Sequence, residues 1–168
     1  IHTGGLTVYT MRDPLRRAEQ LFAANEAVSC EDRRRTYGEL GTRVRKVAGL
    51  LEAVTDPGDR VALWANNSDI YLELFLGIPC ANRAIVPHNT RWAVPELVYA
   101  TEDAGAKILI TDRDPGAELS AVVDRVVRID TGEYEELLTA APEAEPALTP
   151  DTLAGLFYTG GTTGASKG

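Results

Sequence analysis

A chain of 168 residues, 44% hydrophobic and 25% charged, can bury one domain-sized core and has the balance of a soluble globular protein. Its net charge of −8 argues against nucleic acid or an anionic membrane as the main partner, because both demand a basic face; any anion site must rest on local donors instead. No apolar run approaches the roughly 20 residues of a membrane span. Cys30 and Cys80 lack metal or redox spacing and are expected to be buried free thiols of a cytoplasmic protein, and His2 and His88 are too few and too scattered for a zinc site.

In chain order, short apolar runs alternate with amphipathic helices. Asp13-Pro14 predicts an N-cap with proline at the first helical position, followed by a face of Leu15, Ala18, Leu21 and Phe22. Ala27–Cys30 and Arg34–Thr36 flank a polar turn and predict a small hairpin, with Arg33-Arg34-Arg35 a solvated turn beside Glu31 and Asp32 rather than an anion patch. Thr36 and Glu39 form a capping box for a helix whose apolar face is Leu40, Val44, Val47, Ala48, Leu51 and Val54, leaving Arg43, Arg45 and Lys46 on the wet side. After the Asp56–Asp59 turn, Val61–Trp64 reads as a buried strand. Ser68 is a cap for a helix through Ile70, Leu72, Leu74 and Phe75, which Gly77 and Pro79 weaken near its end. Ala84–Val86 is the next strand, Pro95 opens a helix carried by Leu97, Val98 and Ala104 and stopped by Gly105, and Ile108–Ile110 and Val126–Ile129 are further strands. This rhythm predicts an α/β fold, a layered α/β/α arrangement around a mainly parallel sheet. Residues 139–152, rich in Ala, Pro and Glu, read as an exposed connector before a strand from Leu153 to Thr159.

That strand delivers Tyr158-Thr159-Gly160-Gly161-Thr162-Thr163-Gly164-Ala165-Ser166-Lys167-Gly168 to one edge of the core. Glycines let the main chain approach an anion and adopt positive φ, building a concave nest of N–H donors; the hydroxyls add neutral donors and Lys167 a mobile positive charge. A plain Gly/Ser/Thr linker accounts poorly for a lysine behind this ordered run of threonines. A Walker A loop fails, since Ser166 precedes the lysine and Gly168 stands where Ser or Thr is required, and no G-x-G-x-x-G spacing occurs.

The segment resembles the phosphate-loop signature Y-T-S-G-T-T-G-x-P-K-G of the adenylate-forming (AMP-binding) superfamily, which includes acyl-CoA and aryl-CoA synthetases, peptide-synthetase adenylation domains and luciferases. Tyr158, Thr159, Gly161, Thr162, Thr163, Gly164, Lys167 and Gly168 match it. Gly160 replaces a serine, removing one hydroxyl, and Ser166 replaces a proline, removing a rigid φ. Thr36–Leu40, Asp59–Leu63, Ala84–Trp92, Pro95–Leu97 and Asp103–Lys107 are similar, in the same order, to segments of acyl-CoA synthetases, so the resemblance runs from about Pro14 to Gly168. Asn82-Arg83 departs from the small Gly-Ala pair usual before the V-P element.

The resemblance implies that residues 1–168 are the N-terminal fragment of a large AMP-binding domain, the rest of that domain and a C-terminal domain lying outside the chain. It implies an ATP-dependent acid–CoA ligase that activates a carboxylic or fatty acid as acyl-AMP and passes the acyl group to CoA, with Mg²⁺ as cofactor. Thr159, Gly160, Gly161, Thr162, Thr163, Gly164 and Lys167 would bind the ATP phosphates, and Thr163 would approach Mg²⁺. The catalytic residues are expected beyond residue 168, so the fragment alone is expected to be inactive. Two alternatives stay open: an adenylation domain that loads a carrier protein, and a non-catalytic binding protein of the same fold.

Overall fold

The computed structural model describes residues 9–159. Helix α1 (Asp13–Phe22) leads into a hairpin of β1 (Glu26–Cys30) and β2 (Arg33–Thr36), then α2 (Tyr37–Glu52). An alternating series follows: β3 (Arg60–Trp64), α3 (Asp69–Cys80), β4 (Ala84–Pro87), α4 (Val94–Ala104), β5 (Ala106–Thr111), α5 (Gly116–Ser120), β6 (Arg125–Arg128) and α6 (Glu133–Ala140). Strands β3 to β6 form one parallel sheet in the order β4-β3-β5-β6.

The period-2 alternation of the strands assigns the layers. Val61, Leu63, Ile85, Ile108, Ile110 and Val127 face α2, α3 and α6, where Val47, Leu51, Leu74, Ile78, Tyr134 and Leu138 are buried. Ala62, Trp64 and Leu109 face the other way, onto Leu97 of α4 and Leu119 of α5, and Ala106 joins them because the register of β5 slips by one residue between Ala106 and Ile108. The result is the α/β/α layering that the pattern predicts.

Local signals explain most boundaries. The Thr36 hydroxyl accepts from Glu39 N while the Glu39 carboxylate accepts from Thr36 N, the predicted capping box. Ser68 caps α3 through Tyr71 N. Helix α4 stops at Gly105, whose φ of 62° is left-handed. Asp13 corrects the first cap: it is already helical, and its carboxylate reaches back to accept from Thr10 N and Oγ1 at 2.6 and 3.0 Å. The predicted apolar face of α1 is also only partly buried. Leu15 packs with Leu40, Val44 and Cys80, but Leu21 and Phe22 stay exposed.

The arginines are solvated only in part: Arg33 and Arg34 stay exposed, whereas Arg35, Arg43 and Arg45 are partly buried in ion pairs. Arg33-Arg34-Arg35 is strand rather than turn; Glu31, with φ 52°, makes the turn. Alternation along β2 then puts Arg33 and Arg35 on one face, where both reach the carboxylate of Asp69 at 2.7 and 3.1 Å, and puts Arg34 on the other, toward Glu26 and Ser29. Arg43 turns inward as well, pairing with the buried Glu73 of α3 and with Glu135 of α6. Arg45 spans Glu19 and Glu143. Of the two thiols, Cys80 is buried and Cys30 only half-buried.

Residues 141–152 carry no helix or strand, while Thr139 and Ala140 close α6. Main-chain groups hold this stretch: Ala144 N donates to Arg45 O, and Pro146 O accepts from Arg12 Nη2 at 2.8 Å. The segment after it is extended but is not a full strand. It joins the open edge of β4 through a parallel bridge between Gly155 and Ile85, with Ile85 N donating to Ala154 O and Leu156 N to Ile85 O. A Cβ at residue 155 would lie 2.8 Å from both Ile85 Cγ2 and Ile85 O, so only glycine lets the two chains approach this closely.

Candidate functional site at the carboxyl ends of the strands

Because β3 to β6 are parallel, their carboxyl ends share one edge, the place where open α/β sheets present ligand loops. The parallel bridge at Gly155 aligns the last described segment with them. Thr159 therefore lies four residues beyond the bridge, on the carboxyl side of β4, and is exposed. Gly160, Gly161, Thr162, Thr163, Gly164 and Lys167, the remaining predicted phosphate-binding residues, lie outside the described residues, as does His2.

Two aromatic residues hold the approach to Thr159 from opposite layers. Phe157 leans on Phe75 of α3, centroids 6.3 Å apart, and Tyr158 meets the edge of Trp92 at 6.5 Å with the rings 87° apart. The Tyr158 hydroxyl donates to Asp103 Oδ2 of α4 at 2.5 Å. Partial burial raises the Tyr158 pKa, and the Asp103 carboxylate raises it further.

Beneath Trp92 lies His88, 4% exposed, with ring centroids 5.8 Å apart. Its Nε2 is 2.8 Å from Thr101 Oγ1, and the Thr101 hydroxyl donates its proton to Leu97 O at 2.7 Å. Thr101 must therefore accept, which places the imidazole proton on Nε2 and leaves Nδ1 a bare acceptor. Nδ1 is buried with no hydrogen-bond partner among the described residues. Burial lowers the His88 pKa to about 4, so the ring is neutral at pH 7.

The next carboxyl ends are polar. Asn66 after β3 donates through N and Nδ2 to Asp112 Oδ2 after β5, at 2.8 and 2.9 Å, and Arg113 Nε donates to Asp112 Oδ1. The Arg113 guanidinium sits 4.9 Å from the centre of the Trp64 ring. Among the described residues no cluster of three His, Cys, Asp or Glu is placed to hold a metal, and no helix is long and apolar enough to cross a membrane.

A second charged group lies between the hairpin and α3. Asp69 is almost wholly buried; burial works against its charge, but Arg33 and Arg35 outweigh this and hold its pKa below the ordinary carboxylate value. Glu73 is buried too, and there burial prevails: its pKa is raised despite Arg43 and the Tyr134 hydroxyl that donates to it. The arginines here are already matched by carboxylates, so this group ties β2, α2, α3 and α6 together and offers no spare positive charge.

Sequence reasoning placed an extended segment before the glycine–threonine run, and the structure brings that segment to the strand ends as far as Thr159; it missed Asp103, Trp92 and the buried role of His88. Asp103 and Tyr158 are 55 residues apart, and only the register of the sheet brings them together. For Asp69 and Glu73 a signal existed: two carboxylates at i, i+4 on an otherwise apolar helix.

Comparison with known proteins agrees with this architecture. The AMP-binding enzyme family model matches residues 15–168. The chain is 38% identical over 135 residues to a feruloyl-CoA synthase of Amycolatopsis sp, covering 79% of this chain and 27% of that protein. It is 32% identical over 149 residues to ScoC of Streptomyces coeruleorubidus, a fatty acid–[acyl-carrier-protein] ligase, covering 84% of this chain and 29% of that one. The inhibitor-bound crystal structure of the N-terminal domain of FACL13 from Mycobacterium tuberculosis superposes with a TM-score of 0.83 at 29% identity, covering 94% of this chain and 43% of that one. The chain thus spans less than a third of the length of these two curated relatives.

Proposed function

The chain belongs to the AMP-binding enzyme family, and on that premise we propose that it forms the N-terminal part of an ATP-dependent acid–CoA ligase. The observation that carries the reading is the delivery of Thr159, first residue of the glycine–threonine run, to the carboxyl edge of a parallel sheet. A carboxylate is a poor electrophile, and an acyl-phosphate anhydride is a good one. The carboxylate attacks the α-phosphorus of ATP, pyrophosphate leaves, and the thiol of CoA then displaces AMP from the acyl group. Charge in the first step gathers on phosphate oxygens, so positioned donors are what the protein must supply.

In this proposal the amides and hydroxyls of Thr159, Gly160, Gly161, Thr162, Thr163 and Gly164 cradle the β- and γ-phosphates, and Lys167 neutralises their charge. Mg²⁺ fits the chemistry of these residues, with the Thr163 hydroxyl as the oxygen donor on this chain. The substrate is a carboxylic acid, fatty or aromatic, and the family's acyl pocket and catalytic lysine belong to residues beyond 168. A carrier-protein thiol is the second reading for the acceptor, favoured by the likeness to ScoC.

Acid-dependent exchange of labelled pyrophosphate into ATP by the full-length protein tests the first step, and transfer to CoA against transfer to a carrier protein separates the acceptors. Lys167→Ala is expected to slow exchange by about a hundredfold, the scale of losing one oriented charge on a transition state. Exchange unchanged by that substitution would remove Lys167 from the site.

A further inference from the structure

The last described main-chain hydrogen bond to β4 is Leu156 N to Ile85 O. Beyond it side chains also hold the segment: Phe157 leans on α3, and Tyr158 turns to the other layer and reaches α4. Two glycines follow directly after Thr159. Glycine has no side chain to anchor and the widest backbone freedom, so a fixed point just upstream of the pair lowers the entropy cost of placing the hydroxyls of Thr162 and Thr163. The nearest anchor in the sequence is Tyr158, one residue before Thr159.

We propose that Tyr158 and Asp103 form a clasp that positions the phosphate loop: α4 holds the main chain at the threshold of the loop by one charge-assisted hydrogen bond, with Trp92 as the wall that orients the Tyr158 ring. This rests on the nucleotide reading of residues 159–167 given above. Asp103 is then a positioning residue that touches no substrate. Its carboxylate fixes the phenol, the phenol fixes residue 158, and the entropy of ordering the glycines is reduced before ATP arrives. Trp92 packs on His88, which is hydrogen-bonded to Thr101 of the same helix, so ring and carboxylate are both referred to α4.

The test measures MgATP affinity and melting temperature of the full-length protein for wild type, Tyr158→Phe, Asp103→Asn and the double variant. Tyr158→Phe keeps the ring on Trp92 and loses only the hydroxyl. Each single substitution is expected to weaken MgATP binding about fivefold, the effect of one partly exposed hydrogen bond to a charged group, with little change in melting temperature. The double variant is expected to bind like either single one, because both remove the same bond. Asp103→Glu, which retains an acceptor, should recover part of the loss. Single variants that bind like wild type overturn the clasp, as do losses that multiply in the double variant or that track a fall in melting temperature. Wild-type protein that binds no MgATP overturns the nucleotide reading itself, and with it the clasp.

Discussion

His88→Leu tests the reading of the buried histidine. The ring is neutral, its pKa lowered by burial from 6.5 to about 4. As pH falls, the unfolded chain takes up this proton first, so between about pH 6.5 and 4 it binds more protons than the folded chain and stability must fall with pH. Linkage between those two values gives a loss of about 2 kcal/mol from pH 7 to pH 5, levelling off below the folded value. Leucine has similar bulk and nothing to titrate. At pH 7 the variant loses one neutral hydrogen bond but also a buried acceptor with no partner, and Thr101 keeps its bond to Leu97 O. The balance is expected to leave it equal to wild type or more stable by about 1 kcal/mol. Urea melts of both proteins at pH 7 and pH 5 decide it: the wild type should lose about 2 kcal/mol more than the variant over that interval. Parallel losses would show that His88 charges in the folded state without penalty, and the account of its burial would fall.

Two further substitutions test the packing and the backbone. A Cβ at Gly77 would lie 2.7 Å from Val47 Cγ1, so Gly77→Ala should push α3 off α2 and destabilise by about 1–3 kcal/mol despite the better helix propensity of alanine, as read by thermal melting; a gain in stability would contradict the close approach. Asn82 holds φ 60°, the left-handed region, so Asn82→Gly should be neutral or stabilising by up to about 1 kcal/mol while Asn82→Val should destabilise by more than that, and equal melting temperatures for the two would refute the strain.

Asn82 also shows what the sequence made legible and what it did not. Asn82 takes a left-handed turn, a conformation asparagine tolerates better than most residues. Arg83 is 2% exposed yet finds acceptors in Thr55 Oγ1, Thr55 O and Ala81 O, none of which a local pattern announces. Caps and periodicity were readable because they act within a turn or two: Thr36 with Glu39, Ser68 with Tyr71, Gly105 at the end of α4. The fates of Arg33, Arg35 and Arg43 were not, since their partners lie 30 to 92 residues away and a charged residue on an amphipathic segment looks solvated until the fold supplies a carboxylate partner. Helix α5, five residues long, is too short to show a period, whereas α6 carried one in Tyr134, Leu137 and Leu138 behind an acidic first turn. For the site, composition alone exposed the glycine–threonine run; the contacts of Tyr158 needed the sheet.

The described sheet has two margins, guarded by different means. Strand β6 carries arginine at both ends, a charged border that discourages another chain from pairing with it. Strand β4 is Ala-Ile-Val-Pro, with no charge to repel a foreign strand, and its outer flank is occupied by the bridge at Gly155. The short segment around Gly155 that leads to the glycine–threonine run thus also shields an apolar margin from self-association, so a change that loosens it would free a pairing edge as well as the approach to Thr159.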